Sequence, residues 1–507
     1  MNINFEIHGT IRDLESRKEP LPYLFMKLPR LLTFLLAIVI TSLCTAQTAM
    51  IEQTLVVPQG YFQVDEEHQI ILANMPIADI NEQVNFVLLE EDIYTLVDTQ
   101  ESINTRTAYE VTKEDETYTL FFTALPIISI ESNSRIDDEP KVPATLHYAD
   151  STQQFTSYIG IELRGRSSRI YSKKTYDLEF WEDVAGDDTR DVALDGLRED
   201  DDYILDAIYN EPLRLRSHIS HQLWLDLHQP YYLDQEPEAK SGADVRFVEV
   251  FLNNQYQGVF NLSEQIDRKQ LKLKKFKKSK QVIRGELFQG DNWGDATVLY
   301  KATDYDNDKR DWNGFILKYP QDTTDWSNLH QMVSTATAKN QELFEDNIWQ
   351  QFNYDNFIDY FIFVNVVRAT DNTGKNIYVA RYDNDQPYFY VPWDLDGVFG
   401  TQYYGKVDNI TDDVLGNSLQ NRLMRESSSK FKKDLETRWK ELRKNLLSTP
   451  NLIKLFEDKY NYLNDHKIYE RESMVQEEFD SHQLQLEYIK SWTNRRMDYL
   501  DTVFIQN

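Results

Sequence analysis

Ala369-Thr-Asp-Asn-Thr-Gly-Lys-Asn-Ile-Tyr-Val-Ala-Arg-Tyr-Asp-Asn-Asp-Gln-Pro-Tyr-Phe-Tyr-Val-Pro-Trp-Asp-Leu-Asp-Gly-Val-Phe-Gly400 is the stretch from which the rest of the chain is best read. An apolar segment, Tyr354 to Val367, precedes it and predicts a helix with Phe357, Ile358, Phe361 and Ile362 on one face. That helix delivers the chain to a polar loop, Asp371 to Asn376, and then to a strand, Ile377 to Arg381. The acidic turn Asp383-Asn-Asp-Gln386 returns a second strand, Pro387 to Trp393, into Asp394-Leu-Asp-Gly397. A hairpin closed this way brings its two ends together, so Asp371, Asn376 and Asp394 are expected around a common point.

An Asp followed by an Asn one short loop later, then by a hairpin ending in an Asp near a Gly, is the layout protein kinases use in their catalytic and metal-binding loops. The chemistry explains the residue types. One Asp accepts or orients an acceptor hydroxyl, while the Asn amide oxygen and the second Asp hold divalent metal against a triphosphate. Hard oxygen ligands suit Mg2+ or Mn2+, and no His or Cys cluster offers a softer site. Asp, Asn and Gly also populate ordinary turns for backbone reasons. The apolar residues that bound this hairpin, and Trp393-Asp-Leu-Asp-Gly397 at its end, weigh against a plain turn.

Upstream, Arg164-Gly-Arg-Ser-Ser-Arg169 stands between a predicted strand and Lys173-Lys-Thr-Tyr-Asp-Leu-Glu-Phe180. A strand, a turn bearing Gly165, Ser167 and Ser168, and a strand carrying lysine can cradle and neutralise a nucleotide phosphate. Arg164 flanks that turn. Strand alternation lets only one of the two lysines face such a site, and Lys174 is the first choice with Lys173 second.

The 507 residues carry a formal net charge of −30, which argues against nucleic acid as a partner because phosphate backbones demand a basic footprint. With 41% hydrophobic and 13% aromatic residues the chain can bury more than one core, which excludes disorder along its length. Its one cysteine, Cys44, adjoins the sole long apolar run. Lys27 and Arg30 precede Leu31 to Ile40, and Cys44-Thr45-Ala46 offers small residues for cleavage before Gln47. The signal starts near Met26, with residues 1 to 25 as an upstream extension. Export to the outside or the cell envelope is the expectation, with no stable membrane insertion once the signal is cleaved; an uncleaved anchor is the alternative. A cysteine nucleophile is ruled out for the cleaved chain.

Between 48 and 122 the β-type runs Gln69 to Ala73, Val84 to Leu89 and Thr117 to Thr123 alternate with acidic turns and predict a small β-rich unit. Leu125 to Glu131 is a further strand, Ser132 to Pro143 a polar linker, and a boundary falls near 124. Strands are expected at Ile159 to Leu163, Thr175 to Trp181 and Val245 to Leu252, and a helix opens at Pro212 and runs to His228. After Ser429 the pattern is helical: Phe431, Leu435, Trp439, Leu442 and Leu446 form one stripe before Pro450, and Ile489, Trp492 and Leu500 belong to a later one.

Together these residues resemble the CotH family, the spore coat protein H-like atypical kinases. The resemblance spans roughly residues 125 to 445. Its carriers are Leu125-Pro-Ile-Ile-Ser-Ile130, Arg164-Gly-Arg-Ser-Ser168, Lys173-Lys-Thr-Tyr176, Tyr209-Asn-Glu-Pro-Leu-Arg-Leu-Arg216, Gly258-Val-Phe-Asn-Leu-Ser-Glu264, Asp371-x4-Asn376 and Trp393-Asp-Leu-Asp-Gly397. It implies an α+β chain of atypical protein-kinase-like fold, ATP- and metal-dependent, that phosphorylates Ser or Thr of secreted or surface proteins. Residue by residue it implies Asp371 as catalytic, Asp394 as metal ligand, Asn376 as a second ligand, and Glu264 near the adenine edge. Arg166 departs from the family's usual phosphate turn, and no His-Arg pair precedes Asp371. The expected division is signal and extension over 1–46, a β-rich accessory domain over 47–123, the kinase-like domain over 124–445, and a helical extension over 446–507. A non-catalytic surface scaffold and an enzyme moving AMP are the competing readings.

Two other features invite function. Arg268 to Lys280 holds eight basic residues in thirteen, either a solvated face or a docking strip for an acidic protein substrate or an anionic surface polymer. His218, His221 and His228 share a predicted helix but lack the His-Glu-x-x-His arrangement, so they read as packing histidines.

Overall fold

The computed structural model describes residues 53–505 apart from 76–79, 81, 166–167, 427–428 and 477–480. The segment expected as an export signal, with Cys44, lies outside the described residues, and so does Ser167.

The chain begins with seven strands: β1 (Thr54–Val57), β2 (Phe62–Asp65), β3 (Ile70–Asn74), β4 (Val84–Leu89), β5 (Asp92–Gln100), β6 (Ala108–Lys113) and β7 (Glu116–Thr123). They form one sheet in the order β1-β4-β5-β6-β7-β3-β2. Strand β5 alternates exposed and buried residues, as a half-solvated strand should, whereas β3 is buried at every position. The reason is that β3 faces two cores. Ile71 and Ala73 join the sheet's own core with Val87, Leu120 and Phe122, while Ile70 and Leu72 pack with Phe251 and Tyr256 of the next unit.

That next unit is a closed barrel in the order β10-β11-β12-β14-β13-β8-β9. Its strands are β8 (Ile127–Glu131), β9 (Val142–Ala149), β10 (Gln154–Leu163), β11 (Tyr176–Trp181), β12 (Asp202–Asp206), β13 (Val245–Leu252) and β14 (Gln255–Glu264). Alternate residues such as Ile128, Ile130, Ile159, Ile161, Leu178, Phe180, Val248, Phe260 and Leu262 fill the interior. Strand β9 takes up the end of the segment expected as a linker, because Val142, Ala144 and Leu146 alternate inward.

Helix α1 (Arg216–Leu227) starts four residues later than Pro212 suggests. Glu211 explains the shift. Its carboxylate accepts the N–H groups of Leu213 (3.0 Å), Leu215 and Arg216 (3.1 Å) and thereby caps the helix from before the proline.

A five-stranded sheet follows in the order β16-β17-β15-β18-β19, with β15 (Glu286–Gly290), β16 (Asp311–Trp312), β17 (Phe315–Tyr319), β18 (Ile377–Arg381) and β19 (Tyr388–Pro392). Helices α2 (Ser327–Ala336), α3 (Gln341–Gln351) and α4 (Tyr354–Val367) precede the β18–β19 hairpin. Helix α4 has its predicted bounds, and Asn353 caps it by accepting the N–H of Asn356 at 2.8 Å. It is buried nearly all round, which its largely apolar sequence allows, with the buried Asn356, Asp359 and Asn365 hydrogen-bonded.

Helices α5 (Ser418–Glu426), α6 (Ser429–Leu442), α7 (Thr449–Asp465), α8 (Ile468–Ser473) and α9 (His482–Phe504) complete the chain. Trp439, Phe456, Trp492, Met497 and Phe504 share one core with Phe357, Phe361 and Phe399. Arg496 on α9 is fully buried and donates to the carbonyls of Asn365 (2.8 Å), Thr411 (3.0 Å) and Asp413 (2.7 Å). The residues after 445, expected as an extension, are therefore packed into the same core as the hairpin. The architecture is a mixed α/β one, β-rich at its N-terminal side and helical at its end.

Candidate active site

A cleft of about 1100 Å³ opens between the barrel and the β18–β19 hairpin. From the barrel it is lined by Arg164, Gly165, Ser168, Lys173, Thr175, Asp177, Asp206 and Ser263, and from the other side by Asp371, Asn376, Trp393, Asp394 and Asp396.

The loop before the hairpin is built by its own polar groups. Asn372 donates to the carbonyls of Asn376 (2.6 Å) and Trp393 (2.8 Å), and Trp393 N–H donates to the Asn376 carbonyl at 3.1 Å. These bonds tie the two ends of the hairpin together, the closure the sequence predicts. Asn376 and Asp394 both take positive φ (53° and 55°), which places each at an abrupt turn where its side chain enters the cleft. Asp371 opens a single 3-10 turn and meets the ammonium of Lys375 at 3.4 Å.

Asp206 and Asp396 line the same cleft beside Asp394. Asp206 lies at the end of β12, where its carboxylate accepts Ile208 N–H at 3.2 Å, and Asp396 accepts from Asn210 at 3.0 Å. Among the described residues none of Asp206, Asp394 and Asp396 has an ion-pair partner. Asp394 faces the solvent of the cleft yet sits deep in the protein's mass. Burial, then repulsion from Asp396 and Asp206, holds its carboxyl well above the ordinary carboxylate range. Burial raises Asp396 and Asp206 as well. An unneutralised group of hard oxygen donors is what a divalent cation requires, so these residues fit Mg2+ or Mn2+.

On the barrel side Gly165 has φ of +86°, and a Cβ there would lie 2.0 Å from the Ser168 hydroxyl, so the turn needs glycine. The Ser168 hydroxyl donates to the Arg164 carbonyl at 3.0 Å and folds the loop on itself. Arg164 is held by Asp177 at 2.8 Å, with its guanidinium 5.3 Å from the centre of the Trp393 ring.

The lysine choice is reversed. Lys174 turns away from the cleft, and its ammonium donates to the carbonyls of Arg169 (2.6 Å) and Tyr171. Lys173 faces the cleft instead and is ion-paired to Glu472 at 2.7 Å. Sequence alternation correctly allows only one lysine to face inward but cannot fix the phase, because both precede the first residue of β11. Glu472 also receives Arg214 at 3.0 Å, and the two cations outweigh burial, lowering its carboxyl to about 2. Burial, with Arg214 adding to it, pushes the Lys173 ammonium down to about 8 despite the pairing. Gly258 (φ +91°) lets β14 approach this glutamate closely, since a Cβ there would sit 2.6 Å from its oxygen.

Glu264 does not line the cleft. It is buried behind it, accepting from Lys240 at 2.5 Å and from the N–H groups of Arg198 (2.8 Å) and Asp244 (3.2 Å). Its expected place beside a nucleobase is therefore corrected to one that secures the loops around β14. Glu472 escapes sequence reading because it lies far along the chain from Lys173, on a short helix of unremarkable pattern. Asp396 stands in the quoted stretch itself, two residues after Asp394, and its signal was legible there.

The histidines are packing residues. His218 stacks on Phe247 at 3.8 Å and bonds Asn261 at 2.9 Å, and burial pushes it down to about 3 and His221 to about 4. At the edge of the cleft, which Asp201 and Lys269 help to line, Asp191, Asp200 and Asp201 gather closely, but the ammonium of Lys269 already sits among them. Among the described residues no helix is long and apolar enough to cross a membrane.

Comparison with curated proteins gives no match. The family described as CotH kinase protein matches residues 161–500, which takes in the barrel strands of the cleft, the hairpin and Glu472. With that match covering well over half of its length, the chain belongs to the CotH kinase family.

Proposed function

We propose that the chain is an exported, kinase-fold phosphotransferase that moves the γ-phosphoryl group of ATP to Ser or Thr of secreted or surface proteins. The observation that carries this reading is the convergence, in one cleft, of Asp371, Asn376 and Asp394 with an inward lysine held by a buried glutamate. The barrel and the helical part would serve as the two lobes that close on the nucleotide.

Asp394 and Asn376, with Asp396 and Asp206 beside them, would hold Mg2+ or Mn2+, which when bound neutralises charge on the phosphates. Lys173 supplies a fixed positive charge to phosphate oxygens, and Glu472 keeps that ammonium in place. The turn at Gly165 and Ser168 approaches the phosphates by backbone, with Arg164 alongside. Asp371 orients the acceptor hydroxyl and takes its proton as the oxygen bonds to the γ-phosphorus and the bond to the bridging oxygen breaks, leaving ADP. Export rests on the apolar segment Leu31 to Ile40 with its small-residue cleavage site.

The test is transfer of labelled γ-phosphate from ATP with Mg2+ or Mn2+, comparing the wild type with Asp371→Ala. A fall of roughly two to four orders of magnitude is expected for losing a positioned base. Undiminished transfer by a folded Asp371→Ala variant would defeat the assignment.

A further inference from the structure

The basic run Arg268 to Lys280 divides into two halves with different fates. In the first, Lys269 is consumed by Asp191, Asp200 and Asp201, Lys272 by Glu238 at 2.9 Å, and Lys274 by Glu236 at 2.6 Å. In the second, Lys275, Lys277 and Lys280 are exposed, and among the described residues none of them has a carboxylate partner. In a chain with 84 acidic and 54 basic residues, three neighbouring lysines without an acid need an explanation.

Their position supplies one. The tip is a tight turn in which Lys277 and Val282 exchange backbone hydrogen bonds around Lys278–Lys280. It is fastened to the rim of the cleft. Phe276 N–H donates to the Tyr319 hydroxyl at 2.6 Å, Lys278 pairs with Asp322 at 2.7 Å, and Tyr319 and Gln321 line the cleft itself. Arg268, stacked 5.9 Å from the centre of the Tyr319 ring, and Lys318 continue the positive charge onto the cleft wall.

We infer that the Lys275–Lys280 tip is a docking site for the acidic flank of a protein segment whose hydroxyl residue enters the cleft. The inference rests on the kinase reading and adds the acceptor class to it. Charge decides between acceptors. A basic segment would be drawn by the chain's overall negative field and repelled at this rim, whereas an acidic one needs a local positive patch to approach at all. With a screening length of about 8 Å at physiological salt, the nearest charges dominate once the segment arrives.

The experiment uses two fluorescent peptides with one serine-centred core, flanked by glutamates or by lysines. Their binding to the full chain is read by anisotropy without nucleotide, beside the variant Lys275→Glu/Lys277→Glu/Lys280→Glu and its neutral counterpart with Gln at the three positions. The glutamate-flanked peptide should bind at least about tenfold tighter to the wild type, and the reversed variant should lose or invert that preference. With ATP, KM for that peptide should rise about tenfold in the variant while kcat and the nucleotide-induced rise in melting temperature stay as in the wild type. Equal binding of both peptides, preference for the lysine-flanked one, preference retained by the folded variant, or binding of heparin but of neither peptide would overturn the proposal. Because binding is read without nucleotide, absence of transfer with intact acidic preference would sink the kinase reading alone.

Discussion

At the scale of single residues the cleft is a place where the fold accepts repulsion. Asp394, Asp396 and Asp206 line one cleft and repel one another, none of them is ion-paired among the described residues, and burial raises all three. A carboxyl raised in the folded state disfavours folding as pH climbs through and above its unfolded value, so the unliganded protein loses stability toward neutral pH on this account. Asp394→Asn should therefore melt higher than the wild type without cation, while losing the rise in melting temperature that Mg2+ or Mn2+ gives the wild type. A scan of both proteins with and without cation decides it; an Asp394→Asn variant still stabilised by cation contradicts the assignment. Glu472 has the opposite sign. Arg214 and Lys173 lower it to about 2, so its contribution is full above the ordinary glutamate range and is lost as pH falls toward 2. Glu472→Gln leaves two cations buried beside a neutral amide and should cost on the order of 3–5 kcal/mol in urea unfolding. It should also flatten the acid limb of the stability profile, and an unchanged profile would show that the pair is not what holds this region.

At the scale of elements, the hairpin was legible because its signals are local. An apolar run, an acidic turn and two alternating strands all lie within the quoted stretch, so Asp371, Asn376 and Asp394 could be brought together on paper. What was not legible depended on phase or on distance along the chain. Lys173 and Lys174 precede their strand, so alternation could not say which one faces inward. The family resemblance puts Glu264, at the end of Gly258 to Glu264, beside the nucleotide, yet Lys240, Asp244 and Arg198 claim it from behind. The helices after 445 show amphipathic stripes, which fit an extension as well as a core. Only the structure joins Arg471 to Glu249 and Thr123, and Glu472 to Lys173, through side chains that are fully or almost fully buried. A chain ended at 445 would lose Glu472, Trp492 and Arg496 together and should be insoluble or rapidly degraded by protease. A compact, protease-resistant product of that length would contradict the account.

At the scale of the whole molecule, the three sheets are joined by buried polar contacts as well as apolar ones. Arg471 sits where the first sheet, the barrel and the last helices meet, one residue from the partner of Lys173. The N-terminal sheet is further tied to the barrel by Asp65, which accepts Tyr256 N–H at 2.8 Å. In a chain of high negative charge the lysine tip at the cleft rim is a local exception to the field. Phosphate transfer in this cleft, as proposed, is read out by intact-mass spectrometry of the purified protein after incubation with ATP and Mg2+ or Mn2+, with and without a serine-bearing peptide. The account predicts the mass of phosphate on protein or peptide, dependent on cation and absent with Asp371→Ala. The mass of AMP, or no added mass together with no nucleotide-dependent change in melting temperature, would contradict it.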